Sequence, residues 1–563
     1  MFGFGKTADP LSDAKSAQRW LEALPEQDPL AVHAALLTEL GRLADRGTRR
    51  TPSQLEAVFA LDANTAELRR ALTAQYIEHS ARSSRIENQL WSALFDLTQA
   101  FLLAYQAFGR DLSTQAASGK WQQMLPELIA RQVKHLGSDA KVRLYRYEPW
   151  IPAKWSELHT LFSLALSRKI ERATLALEPG GGTTTIEHEY LLVLVLQLVH
   201  GGNTTPRHLE YVADELDGWC QPLRLTLEPT ALSSFYVDLA GREGLKRRSP
   251  APLEGRVLFL DTRPLHSVLL QNIVVLEQKI RTQPLSERTP KRSEQLALLQ
   301  KLAAQADPEF RPFARRGERQ AAAGTVDAIV GFVNLAGFLR EEERNPVVRA
   351  DLGQSYGSTM ELATFGRVRN EADRIAEQAR RRLAAHATPG GPWEVKDVSQ
   401  TGFRLIAPMV VANAVTLGTV VGLRPHGQKD WAIGIVRRMR RLTTDRAEIG
   451  MQVIAHQVVG VDLVEQRKAA EADYAVDGEA TTVNGRTFPG LYLGLRKRGS
   501  DTTVQSLILP AVEYQPSRRF KLLAARTSTR LRLGRLLEQQ PEWVWAAIEP
   551  IEGETALPAA QAG

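Results

Sequence analysis

The sequence contains a single cysteine, Cys220, among 563 residues. One thiol cannot form an intramolecular disulfide, and it excludes a cysteine-rich zinc site, so the fold depends on the burial of apolar surface. Long apolar runs are also missing, since the longest, Tyr190 to Val199, falls far short of the ~20 residues that a membrane-spanning helix needs. The N-terminus, MFGFGKTADP, lacks the apolar core of a secretory signal. These absences predict a cytoplasmic protein without a membrane span.

Catalytic motifs are absent as well, because the sequence contains no GxxxxGK[ST], HExxH or GxSxG, and no GxGxxG that opens a helix after a strand. His188 and His200 flank the apolar run, and we interpret them as polar residues at helix ends rather than metal ligands. Gly180–Gly182, which three threonines follow, lacks the lysine of a phosphate-binding loop. We therefore predict no catalytic residues, no metal site and no cofactor.

The remaining composition is that of an ordinary globular protein, with 43% apolar and 24% charged residues. A chain of this length exceeds what one hydrophobic core normally organises, so several domains are expected. The formal net charge is +7, from 71 basic and 64 acidic residues. This mild excess permits anionic ligands without identifying one.

Residues 1–305 are predicted to be mainly α-helical, because apolar residues recur there at helical spacing. Leu90, Leu94, Leu97 and Phe101 are an example. Strand-like runs interrupt this region at residues 174–177, 235–239 and 257–260.

The pattern changes near Arg311, where short β-rich runs are separated by turn residues. The first set occupies residues 325–333, 393–398, 402–406, 416–423, 431–439 and 449–454, and the second occupies residues 488–495, 503–509, 520–525, 530–533 and 544–548. They predict an antiparallel β-barrel over residues 310–460 with a helical insertion at about 341–390, and a second small β module over residues 461–555. The predicted fold class is therefore a multidomain α+β protein with a mainly helical N-terminal half.

Two motifs stand out in the predicted barrel. Arg315, Arg316 and Arg319 form an RxxxR cluster before the run GTVDAIVGF, and Asp397, Ser399 and Gly402 form a DxSxxG motif within WEVKDVSQTGFRL. In this order the motifs resemble the bipartite signature of the bacterial PilZ-domain family, over roughly residues 310–456. The pair GIVRRMRRL and IGMQVI is similar to the strands that close a PilZ barrel. The interval between the two motifs is much longer than is usual in the family, which the helical insertion explains.

The resemblance implies a signalling protein that binds cyclic di-GMP. It assigns Arg315, Arg316 and Arg319 to an arginine arm, and Asp397, Ser399 and Gly402 to the edge of the ligand site. The chemistry agrees, since guanidinium groups suit phosphate oxygens and guanine O6 and N7, while a carboxylate accepts hydrogen bonds from guanine N–H groups. We expect a non-enzymatic adaptor in which the ligand changes the interaction with an unidentified protein partner, bound through the helical N-terminal half.

Each motif also has a purely structural interpretation. RxxxR recurs at Arg340/Arg344, Arg437/Arg441 and Arg526/Arg530, so one copy is weak support for a site, and DxSxxG is compatible with a turn that needs no ligand. The alternative function is a scaffold with a degenerate PilZ-like barrel that binds protein or nucleic acid without the nucleotide. The basic segment 518–535 raises the possibility of nucleic-acid binding, although it also fits one polar face of alternating strands.

Overall fold

The computed structural model describes residues 9–551 except for a set of gaps. The gaps are residues 26–27, 46–49, 80–83, 115–118, 200–201, 249–254, 283–289, 310–319, 345–391, 400, 413–414, 426–429, 444, 467–483, 497–502 and 525–526. Internal contacts divide the chain into two compact units, residues 1–312 and residues 313–563.

The first unit contains eleven helices among its described residues. They are α1 (Ala14–Glu22), α2 (Pro29–Ala44), α3 (Pro52–Asn64), α4 (Ala66–His79), α5 (Ser84–Thr114), α6 (Lys120–Tyr145), α7 (Pro152–Arg168), α8 (Ile186–Val199), α9 (Pro206–Cys220), α10 (Arg263–Thr282) and α11 (Pro290–Ala306). Local sequence sets several helix starts, since Asp13, Asp28, Thr51 and Thr205 each accept a hydrogen bond from a first-turn N–H group. Proline in the first turn of α2, α3 and α9 supports the same starts.

Helix α8 lies in the middle of the larger hydrophobic cluster of this unit, where Tyr190, Leu194 and Val195 are fully buried. This accounts for the apolar run in the sequence, because a helix that is apolar on all sides is stable only when other elements surround it. No helix among the described residues is both long and apolar enough to cross a membrane.

A small antiparallel sheet accompanies the helices of the first unit. It consists of β1 (Leu225–Thr226), β2 (Phe235–Asp238), β3 (Lys246–Arg247) and β4 (Val257–Leu260), in the order β1-β4-β2-β3. The runs predicted at residues 235–239 and 257–260 correspond to β2 and β4. The strand predicted at residues 174–177 is wrong, because only Leu175 pairs there, with Thr184 across a single bridge.

The second unit begins with a closed barrel. Its strands are β5 (Gln320–Ala321), β6 (Thr325–Val330), β7 (Trp393–Ser399), β8 (Gly402–Pro408), β9 (Val420–Pro425), β10 (Ala432–Arg441) and β11 (Arg446–Ala455), and a short helix, α13 (Met409–Ala412), follows β8. Strands β6-β9-β10-β11-β8-β7 form a six-stranded ring, because β7 pairs with both β6 and β8. The two-residue strand β5 pairs with β7 next to β6.

Helix α12 (Phe332–Arg344) follows β6 directly. The strand prediction at residues 325–333 is therefore wrong at its end, since Gly331 adopts a φ of 92° and the chain enters the helix at Phe332. A positive φ is accessible to glycine without steric cost, which lets the strand stop abruptly. Most of the predicted insertion at residues 341–390, including its helical stretch 373–386, lies outside the described residues.

A second six-stranded antiparallel barrel completes the chain. Its strands are β12 (Val458–Gln466), β13 (Asn484–Arg496), β14 (Thr503–Pro510), β15 (Arg519–Ala524), β16 (Thr527–Gln539) and β17 (Trp543–Pro550), closed in the order β12-β13-β14-β17-β16-β15. The sequence pattern missed β12. The predicted multidomain α+β fold, with a helical N-terminal half and two β modules, is confirmed.

The basic segment 518–535 lies mainly on β15 and β16 of this second barrel. Phe520, Leu522, Leu531 and Leu533 are buried in the barrel core, and the intervening positions are basic. Register places Arg519 opposite Arg532 and Lys521 opposite Arg530. Alternation along two paired strands is thus sufficient to explain the charge of this segment.

Helix α12 packs against both barrels. Phe332, Leu335 and Phe338 share one buried cluster with Ile433 of the first barrel and Leu491 of the second. Glycine permits the close approach, because a Cβ at Gly460 of β12 would lie 2.6 Å from the backbone nitrogen of Arg340.

Polar contacts also connect the two barrels. The Arg437 guanidinium forms two hydrogen bonds with Glu538, of 2.7 and 2.6 Å, and the Trp543 indole N–H donates to the Gly418 carbonyl at 3.1 Å. The two barrels and α12 therefore share one continuous interface inside the second unit.

A buried charged network lies in the first unit, where Asp62 of α3 is almost fully enclosed. The Asp62 carboxylate accepts hydrogen bonds from the Tyr105 hydroxyl at 2.8 Å and from Arg131 at 3.0 Å, and it pairs with Arg69 at 2.9 Å. Burial by itself would raise the pKa of Asp62, but His135 and the two guanidinium groups hold it well below its usual range. Burial lowers the pKa of His135, and the nearby Asp62 carboxylate partly opposes that shift.

Candidate ligand-binding site

The candidate site is built around the hairpin of β7 and β8, which carries the DxSxxG motif. Asp397 and Ser399 lie at the end of β7, and Gly402 begins β8. Arg315, Arg316 and Arg319 lie outside the described residues. The hairpin is therefore the part of the predicted site for which the structure supplies geometry.

Strand β5 connects the two motifs. It starts at Gln320, the residue directly after Arg319, and pairs antiparallel with β7 so that Gln320 is opposite Val398 and Ala321 is opposite Asp397. Paired residues in a sheet are about 5 Å apart between Cα atoms. The chain directly after the arginine motif thus lies beside the DxSxxG motif, despite the long stretch of sequence between the two motifs.

Asp397 lies on the outer face of the barrel but is largely covered, with 9% of its side chain exposed. Its Oδ2 atom lies 2.7 Å from Nε of Arg404, the residue directly opposite on β8. We treat this contact as an ion pair, because Nε of Arg404 has no aligned hydrogen bond despite the short distance. The carboxylate of Asp397 therefore positions the guanidinium of Arg404.

Arg404 is a candidate ligand-binding side chain that the sequence motifs did not include. Its side chain is 43% exposed, and its Nη1 atom lies 3.8 Å from Glu448 on β11. A guanidinium held between two carboxylates keeps further N–H donors directed at solvent. The sequence signal was the arginine two residues after Gly402, but its pairing with Asp397 depends on a β-bulge between Val395 and Asp397 that the sequence does not show.

Ser399 and Gly402 shape the hairpin. The Ser399 hydroxyl donates to the Gly402 carbonyl at 3.3 Å across the turn. A Cβ at Gly402 would lie 2.5 Å from the Met451 carbonyl oxygen on β11, a separation that real Cβ atoms do not tolerate. Both residues thus have a structural task, which is to bring β8 close to β11 and to hold Asp397 and Arg404 in register.

Among the described residues, no group of three or more histidine, cysteine or acidic side chains is arranged to hold a metal ion. His188, which the sequence analysis considered as a metal ligand, lies 2.7 Å from Asp217 through its Nε2 atom. The interpretation of His188 as a polar residue near a helix start agrees with its place in the first turn of α8.

The barrel, its arginine-rich lead-in and the DxSxxG hairpin together define a PilZ domain within a larger chain. Comparison with protein families agrees. The model of the N-terminal domain of the cyclic-di-GMP receptor FimW matches residues 15–230, and the model of its middle PilZ domain matches residues 358–459. The two matches together cover more than half of the chain. The chain belongs to the PilZ-domain family, and its N-terminal region is similar to the N-terminal domain of FimW.

A curated relative supports the same assignment. The cyclic-di-GMP receptor FimW of Pseudomonas aeruginosa is 24% identical to this chain, over 58% of the chain and 58% of its own length. The chain therefore matches a little more than half of this relative. The matched PilZ segment contains β7 to β11, whereas β5 and β6 precede it.

Proposed function

We propose that this chain binds cyclic di-GMP on the outer face of its first barrel, at the hairpin of β7 and β8, and acts as a non-enzymatic effector. The supporting observation is the pairing of β5 with β7, which anchors the chain directly after Arg319 beside Asp397. The names of the family models and of the relative supply the ligand class. No cofactor is part of the proposal.

The ligand offers two kinds of polar group to this face. Its phosphates are anionic and suit guanidinium groups such as those of Arg315 and Arg319, while its guanine edges present the neutral acceptors O6 and N7. Arg404 suits a guanine edge, because Asp397 and Glu448 already compensate its charge. Asp397 then acts chiefly by orienting Arg404, in addition to any direct hydrogen bond to guanine N–H groups.

The proposal is tested by isothermal titration of the full chain with cyclic di-GMP. We expect Arg315→Ala, Asp397→Ala and Arg404→Ala each to weaken binding by about tenfold to a hundredfold, because each removes a charged hydrogen-bonding group worth about 1.5–3 kcal/mol. Arg532→Ala is the matched control, since it removes an exposed arginine paired with Glu549 on the second barrel. Thermal unfolding verifies that all variants are folded.

Two outcomes would contradict the proposal. If the wild-type chain shows no heat of binding at ligand concentrations up to about 100 μM, its binding free energy is weaker than about −5.5 kcal/mol. The site is then degenerate. If all three site variants bind as the wild type does, the ligand occupies another surface.

The effector role requires that the ligand changes the binding of another protein. The full chain is immobilised, and proteins are captured on it from cell extract with and without cyclic di-GMP. We expect the captured amount of at least one protein to depend on the nucleotide. The same experiment with Arg404→Ala should lose that dependence, because the variant is occupied only weakly. If the captured amounts depend on the nucleotide to the same extent for wild type and Arg404→Ala, the nucleotide acts on another component of the extract.

A further inference from the structure

A row of residues crosses the outer face of the first barrel from the candidate site to a strand that carries neither motif. Strand register aligns Asp397 of β7 with Arg404 of β8, Arg404 with Gly450 of β11, and Gly450 with Arg438 of β10. Residues directly opposite in adjacent strands point to the same side of a sheet. The four side-chain positions therefore form one line, here called the Gly450 row.

Gly450 leaves a gap in this row. It contributes no side chain between Arg404 and Arg438, and a Cβ placed there would lie only 3.2 Å from the Cβ of Arg438. Two strand spacings separate the arginine backbones, so their Cα atoms are about 10 Å apart. The backbone of Gly450 thus carries no side chain of its own, and each adjacent strand carries one arginine beside it.

The two arginines differ in charge compensation. Arg404 is paired with Asp397 at 2.7 Å and approaches Glu448 at 3.8 Å. Arg438 is exposed and, within the part of the chain that the structure describes, has no hydrogen-bond or ion-pair partner. A guanidinium between carboxylates suits a neutral acceptor edge, whereas an uncompensated one suits a phosphate.

We propose that Arg438 is a further ligand-binding residue, which contacts a phosphate of the cyclic dinucleotide while the ligand lies over Gly450 with a guanine edge toward Arg404. This inference rests on the proposed function, since it names an additional contact of the same site. It extends the site from β7 and β8 across β11 to β10.

The test is titration of the full chain with cyclic di-GMP at about 0.05 M and about 0.5 M NaCl, because salt screens exposed charges. Arg438→Ala is expected to bind about tenfold more weakly at low salt and to depend less on salt than the wild type. Arg438→Lys should retain most of the affinity, because a point charge satisfies a phosphate. Arg404→Lys should not, because a guanine edge needs the planar fork.

Arg440→Ala is the matched control, since Arg440 lies on the same strand and the same face, one row further from Asp397 and opposite Glu448. It is expected to bind as the wild type does, and thermal unfolding of each variant confirms that the barrel is intact. Equal losses in Arg438→Ala and Arg440→Ala would reveal a general effect of charge and overturn the inference. Wild-type affinity in Arg438→Ala would also overturn it while leaving the proposed function standing, whereas absence of binding by the wild type would remove both.

Discussion

Replacement of Asp62 by alanine should destabilise the first unit by about 3–5 kcal/mol, which is the cost of breaking a buried ion pair by removing one partner. The substitution leaves Arg131, whose side chain is 5% exposed, without its buried carboxylate, and it removes the acceptor of the buried Tyr105 hydroxyl. Arg69 loses its ion-pair partner at 2.9 Å as well.

Calorimetry and hydrogen exchange of the full chain measure this effect. The transition of the first unit should shift to lower temperature, and peptides from α3, α5 and α6 should exchange faster, while the peptides of the second barrel keep their wild-type rates. Glu67→Ala is the control, because it breaks an ion pair with Arg70 in which both side chains are mostly exposed. Exposed pairs are typically worth less than about 1 kcal/mol. Equal shifts for Asp62→Ala and Glu67→Ala would show that the buried network contributes nothing special.

Replacement of Trp543 by alanine should destabilise the second unit by about 3–5 kcal/mol. The indole is buried in the cluster that joins α12 with both barrels, and its N–H donates to the Gly418 carbonyl at 3.1 Å. The substitution thus creates a cavity and leaves a buried acceptor unpaired. Trp543→Phe should cost less, about 1–3 kcal/mol, because it keeps most of the apolar contact and loses the hydrogen bond.

Hydrogen exchange of peptides that span α12 and β17 is the appropriate measurement for Trp543. Both segments should lose protection in Trp543→Ala and lose less in Trp543→Phe. Val512→Ala serves as the control in the same barrel, since Val512 is 84% exposed and its truncation is expected to stay within about 0.5 kcal/mol. Unchanged protection of α12 in Trp543→Ala would mean that the helix is held without the second barrel.

The sequence by itself predicted the fold class and the position of the hairpin. Alternating apolar residues identified most strands of the two barrels, and the turn residues of DVSQTG placed the end of β7 and the start of β8. These features are local, because they depend on side-chain period and on backbone preferences within a few residues. Family resemblance then supplied the expected ligand.

Besides the strand wrongly predicted at residues 174–177, local signals missed helix α12 and strand β12. Helix α12 was missed because the apolar run of β6 continues into Phe332 without a polar break, and only the positive φ of Gly331 ends the strand. Strand β12 was missed because Val458 follows β11 after only two residues, with no turn sequence that separates two strands of different barrels. In both places the next element packs against different neighbours, while the amino-acid composition of the chain hardly changes.

The sequence alone determined which segments are helices or strands over most of the chain, since these choices depend on neighbouring residues. Tertiary structure alone decided that Gln320 lies opposite Val398, that Arg404 pairs with Asp397, and that Gly450 separates Arg404 from Arg438. Strand pairing and register bring together residues that are far apart in the chain, and a single bulge changes which side chains face one another. Such contacts result from closing the whole barrel, so no short stretch of sequence encodes them.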